Sequence, residues 1–114
     1  MADPAPLFVD TMRLATWVLR RFGGPAPLVR RIAEDSLALL DQVTLALRGS
    51  RRDERIAAAD DRLHLLRIHL RLARELGLLD EAQLIYSLGE CDGIGRQLGG
   101  WRRHLGGERR EDST

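Results

Sequence analysis

Apolar residues recur along this chain at intervals of three and four, the spacing that aligns side chains on one face of an α-helix. Phe8, Met12, Ala15, Leu19 and Phe22 form a first stripe, which Gly23 and Gly24 end and Pro25 and Pro27 follow. Val29, Ala33, Ser36, Leu40, Val43 and Leu47 form a second, closed by Gly49 as a C-cap. Ser50 with Asp53 resembles a capping pair and opens a third helix with stripe Ile56, Ala59, Leu63, Leu66, Leu70 and Ala73, ending at Gly77. Asp80, with Gln83 three residues on and Leu79 and Leu84 as a hydrophobic staple, caps a fourth helix along Leu84, Leu88, Cys91, Gly95 and Leu98. Ile94, Trp101 and Leu105 extend that apolar surface. Short connections between helices favour antiparallel neighbours, so the predicted fold is all-α, an up-and-down antiparallel four-helix bundle over residues 1–105. Residues 106–114 read as a disordered charged tail.

The third helix carries more apolar surface than one bundle uses. Leu65, Ile68, Leu72 and Leu76 form a second face about 120° round from Leu63, Leu66, Leu70 and Ala73. A helix apolar on two sides is buried on two sides, and so small a bundle has no further helix to cover the second. Leu65, Ile68 and Leu72 are therefore expected to build the interface of a homo-oligomer. The fourth helix is unusual in another way, because Ile94 to Trp101 reads Ile-Gly-Arg-Gln-Leu-Gly-Gly-Trp. An interior glycine costs a helix roughly 0.8–1 kcal/mol against alanine. Gly95, Gly99 and Gly100 beside the Trp101 indole thus predict close approach of another helix, with Trp101 as the anchor.

At 114 residues the chain is one small domain, and its 44% hydrophobic but only 4% aromatic content suits a Leu/Ala-rich bundle. All 18 basic residues are arginine, which fits either the coding bias of a GC-rich genome or selection for planar phosphate recognition. The net charge of +1 exerts no overall pull on polyanions, yet residues 48–79 hold eight basic and five acidic groups against five and seven in 80–114. Any basic face therefore belongs to the third helix. The single Cys91 can form no internal disulfide, and the N-terminus lacks the order of a signal peptide, so a cytoplasmic setting is expected. No apolar run approaches the ~18 residues of a membrane span.

On the third helix Arg67, Arg71 and Arg74 form a narrow ridge between the two apolar faces, with His64 beside them. Arg71 can reach Glu75, whereas Arg67 and Arg74 have no acid at a helical neighbour position. They can pair with Glu90 or Asp92 of a neighbouring helix or subunit, or they can meet phosphate or an acidic protein. A second basic group, Arg96, Arg102 and Arg103, surrounds Trp101, which can stack on bases or belong to the core. Asp61-x-x-His64 is half of the metal pattern of ferritin-like bundles, but His69 and His104 lack an acid three residues earlier, so these read as solvated residues and no metal is expected. Cys91 lies on an apolar stripe, and the chain has neither a nucleophile elbow nor a phosphate loop, so neither catalysis nor a cofactor is expected.

Asp61 to Leu79 and Ile94 to Trp101 together resemble the Avd family, the accessory variability determinants of diversity-generating retroelements. The family's Leu-Arg-x-x-x-Arg-Leu-Ala helix corresponds to Leu66-Arg67 and Arg71-Leu72-Ala73, and its Ile-Gly-Arg-x-Leu-Gly-Gly-Trp ending corresponds to Ile94 to Trp101. The likeness in helix order covers most of residues 8–105. It implies a four-helix protomer in a ring-shaped homopentamer, and a non-catalytic accessory protein that partners a reverse transcriptase and its template RNA or cDNA in mutagenic retrohoming. The arginines would then line a surface holding nucleic-acid backbone and enzyme together. Two departures stand out: Gly23-Gly24-Pro25-Ala26-Pro27 follows Phe22 where the family has Phe-Pro and a basic turn, and a net charge of +1 implies weaker RNA binding than in basic members. Four-helix proteins encoded in intervening sequences of ribosomal RNA genes share the bundle but match the Gly-Gly-Trp end less well. The alternative is a purely structural homo-oligomeric adaptor that binds only protein.

Overall fold

The computed structural model describes the backbone of residues 4–22 and 27–112, and side chains for residues 6–14, 17, 18, 21, 22 and 27–104. Four helices occupy it: α1 Pro4–Arg21, α2 Pro27–Leu47, α3 Arg52–Glu75 and α4 Glu81–Asp112. There is no strand among the described residues. α1 packs on α2 and α4, and α3 packs on the same two, so the helices stand at the corners of a square in chain order. Paired cross-links fix the directions: Arg55 and Arg62 of α3 meet Gln42 and Asp35 of α2, Asp60 and Arg67 of α3 meet Arg102 and Asp92 of α4, and Asp10 and Arg21 of α1 meet Gln97 and Gln83 of α4. The result is an antiparallel bundle of 54 × 22 × 20 Å. None of the described helices is long and apolar enough to cross a membrane.

The connections follow glycine and capping chemistry. Gly49 and Gly77 have φ of 85° and 76°, a region that L side chains avoid. Each closes its helix with the paired bonds of a Schellman motif, Ser50 N to Leu45 O with Gly49 N to Ala46 O, and Leu78 N to Ala73 O with Gly77 N to Arg74 O. α4 opens on a reciprocal capping box: Gln83 N donates to Asp80 Oδ1 at 2.7 Å and Asp80 N to Gln83 Oε1 at 3.0 Å. The start of α3 departs from expectation. Its N-cap is Arg51 in a left-handed conformation without a side-chain cap bond, in place of Ser50.

The core matches the α3 stripe residue for residue, with Ile56, Ala59, Leu63, Leu66, Leu70 and Ala73 all inaccessible. In α1 the buried stripe is Leu7, Thr11, Leu14 and Val18, one position before the predicted Phe8, Met12, Ala15 and Leu19, and it joins the predicted one at Phe22, just past the helix end; Phe8 is only half-buried and Met12 exposed, while the side chains of Ala15 and Leu19 lie outside the described residues. Thr11 makes this possible, since its hydroxyl donates to Leu7 O at 2.7 Å and enters the core without an unmet polar group. α2 is rotated similarly, burying Ile32, Leu39 and Ala46 with Val29, Ser36 and Val43, and leaving Ala33, Leu40 and Leu47 at the margin. α4 buries Cys91, Ile94, Leu98 and Trp101. It runs on to Asp112, through the stretch that reads as a charged tail.

Candidate functional site on the third and fourth helices

Of the residues singled out by the sequence, Arg67 and Gly95 meet at the seam between α3 and α4, where the glycine decides the geometry. A Cβ on Gly95 would stand 2.8 Å from Arg67 Nη2 and 3.5 Å from Leu63 Cδ2. The first distance is inside van der Waals contact, so the missing side chain is what seats the Arg67 guanidinium against α4. There Nη2 donates to Cys91 O at 3.3 Å and to Asp92 Oδ1 at 3.4 Å. Close approach at Gly95 is thus real, and its occupant is an arginine. Gly99 and Gly100 differ from expectation: among the described residues, a Cβ on either would meet only Arg103 of its own helix, at 3.5 and 3.8 Å. No described residue of a neighbouring helix approaches either glycine.

The arginines divide into committed and uncommitted groups. Arg67 is held by Asp92, Arg102 pairs with Asp60 at 3.3 Å, and Arg74 reaches Leu79 O at 3.5 Å. Arg71, Arg96 and Arg103 are exposed and make no hydrogen bond or ion pair with a described residue. Arg71 does not take the Glu75 partner that its spacing permits. Trp101 is only 9% exposed and belongs to the core, where the Arg52 guanidinium lies 5.7 Å from its ring centroid. Its ring is packed away from any incoming base.

Beside this seam α3 shows its second apolar face, with Leu65, Ile68 and Leu72 at 44, 45 and 45% exposure and Leu76 at 62%. The four follow one another along the helix as a continuous strip. Between the strip and α4, a cleft of about 350 Å³ opens among His64, Arg67, Ile68, Arg71 and Asp92. Asp61 and His64 are solvated, as the sequence indicates.

One cluster escaped the sequence reading. Asp35 is fully buried in α2, its Oδ1 accepting from Arg62 Nη1 at 3.1 Å and its Oδ2 bonded to His69 Nδ1. His69 is therefore not a solvated residue, a correction caused by a carboxylate on another helix. The signal was present: Asp35 stands three residues after Ile32 and four before Leu39, on the buried stripe of α2. Cys91 is inaccessible, and burial pushes its thiol up to about 12, with Arg67 drawing it partly back. A protonated thiol at neutral pH is a poor nucleophile. No group of three or more metal-ligating side chains occurs among the described residues. In comparisons with known proteins, no family model, curated protein or solved structure matches the chain.

Proposed function

We propose that this chain is a non-catalytic scaffold subunit of the kind its Avd resemblance implies, self-associating through α3 and presenting arginines to nucleic acid and a reverse transcriptase. The observation that carries this reading is the juxtaposition on α3 of an uncovered apolar strip, Leu65 to Leu76, with the exposed and uncommitted Arg71; Arg96 and Arg103 on α4 are uncommitted as well. The strip supplies area without charge, which suits a subunit contact. The arginines supply forked donors at a water-facing edge, which suit phosphate. A ring-shaped homopentamer and a retroelement setting belong to the same proposal and rest on the Ile94 to Trp101 motif.

The test is RNA binding by the intact chain as a function of salt, with the oligomer followed by sedimentation. Arg71→Ala with Arg96→Ala is expected to weaken binding and flatten its salt dependence while leaving the assembly unchanged. Salt-insensitive or absent binding to RNA and to a reverse transcriptase encoded beside it overturns the reading. A protein-only adaptor is the second reading, and one observation favours it: Arg67 is spent on Asp92 and Cys91 O within the chain.

A further inference from the structure

We infer that the cleft formed by His64, Arg67, Ile68, Arg71 and Asp92 is a phosphate-group site in which Asp92 is an internal competitor for the ligand. Arg71 brings a full guanidinium to the cleft with no acceptor among the described residues. Arg67, one turn earlier, brings a second. Its Nε is buried without a hydrogen-bond partner, and its Nη2 reaches Asp92 at a long 3.4 Å. Asp92 is itself 63% exposed, so its carboxylate is free to swing into water and its hold on Arg67 is weak. Drawing the Arg67 guanidinium away from Gly95 toward an oxyanion gives Nε the acceptor that it lacks and gives up the 3.3 Å bond from Nη2 to Cys91 O. Asp92 is the carboxylate that lines this cleft, while Asp60, paired with Arg102, and Asp61 line the adjoining one beyond His64 and Arg67.

Two guanidiniums and one carboxylate leave room for a phosphate to bind by exchange: it takes the place of Asp92 on Arg67 and bridges to Arg71. Ile68 gives the cleft an apolar side, against which a sugar attached to the phosphate can lie. Assigning that phosphate to an RNA backbone rests on the nucleic-acid reading above.

The test uses the full ¹⁵N-labelled chain, titrated with inorganic phosphate against chloride at equal ionic strength, with the arginine Nε–H signals observed by NMR. Phosphate is expected to shift Arg67 and Arg71 saturably. Asp92→Asn is expected to tighten binding about three- to ten-fold, the effect of removing one exposed charge at ion-pair range, and Arg71→Gln to weaken it about ten-fold. Both positions are exposed, so neither variant threatens the fold. Absence of shifts at Arg67 and Arg71, or an Asp92→Asn affinity equal to that of the parent, overturns the inference. A second titration with a short single-stranded RNA separates the two proposals. RNA binding untouched by Arg71→Gln and Asp92→Asn overturns the cleft and leaves the nucleic-acid function standing; phosphate capture without RNA binding supports the cleft and removes that function.

Discussion

Alanine at Gly99 tests whether the glycines of α4 serve packing within the chain. In a helix interior the substitution removes backbone freedom from the unfolded chain and is worth roughly 0.8–1 kcal/mol. Against this gain stands whatever the new methyl group strikes. Its nearest described neighbour outside the local helix backbone is the Arg103 Nη1, at an ordinary 3.5 Å and at the end of a flexible side chain. The full propensity gain should therefore appear, raising the thermal midpoint by about 3–6 °C for a domain of this size. Gly95→Ala is the internal contrast. There the methyl group evicts Arg67 from a 2.8 Å contact, and losing the bonds to Cys91 O and Asp92 offsets about 1 kcal/mol, so the midpoint should hardly move. Thermal and urea unfolding followed by circular dichroism at low protein concentration measure both. A Gly99→Ala variant less stable than its parent refutes the reasoning. Were the loss to appear only at concentrations where the chain associates, a second subunit would be what needs the glycine.

Asp35→Ala takes the shared acceptor from the half-buried His69 and the partly exposed Arg62 at the α2–α3 contact, so the chain should lose about 1–3 kcal/mol, read as a fall in urea midpoint. Leu72→Glu on the exposed α3 strip should abolish self-association in sedimentation while leaving the far-ultraviolet dichroism intact; an unchanged assembly would exclude this face as the interface. Cys91 holds its proton up to about 12 in the folded chain against an ordinary 9.0, so over that interval the unfolded chain releases a proton that the folded chain retains. Stability should therefore fall with rising pH by at most about 1.4 kcal/mol per unit there and show no Cys91 dependence below it. Cys91→Ala should remove that slope from urea midpoints measured across the alkaline range.

How far the sequence speaks depends on how unmixed each stripe is. α3 alternates clean apolar and charged positions, and both its core face and its outer strip can be read without coordinates. α1 holds two apolar stripes one residue apart, and the polar Thr11 in the buried one makes the other look better. The Thr11 hydroxyl bond to Leu7 O, local to α1, makes Thr11 tolerable in the core, and the packing of α1 on α2 and α4 chooses the face. Asp35 misleads for the same reason, because a carboxylate on a core stripe is costly until its partners on another helix are known. At the site, the Gly95 contact and the Asp92 pairing with Arg67 were open to inference from helix spacing. Which arginines remain uncommitted was not, since that depends on side chains brought together across the seam.

The Asp35 cluster also bears on why this bundle settles in one arrangement. Helices faced with leucine and alanine present a nearly periodic surface, and a shift of one turn along a neighbour exchanges one apolar contact for another at small cost. Asp35 breaks that periodicity. Arg62 and His69 lie seven residues apart on α3, one for each carboxylate oxygen, so sliding α2 by a turn in either direction takes an oxygen from its donor and turns it toward hydrocarbon. The buried acid thus acts as a pin between two otherwise slippery surfaces, holding α3 at one height against α2.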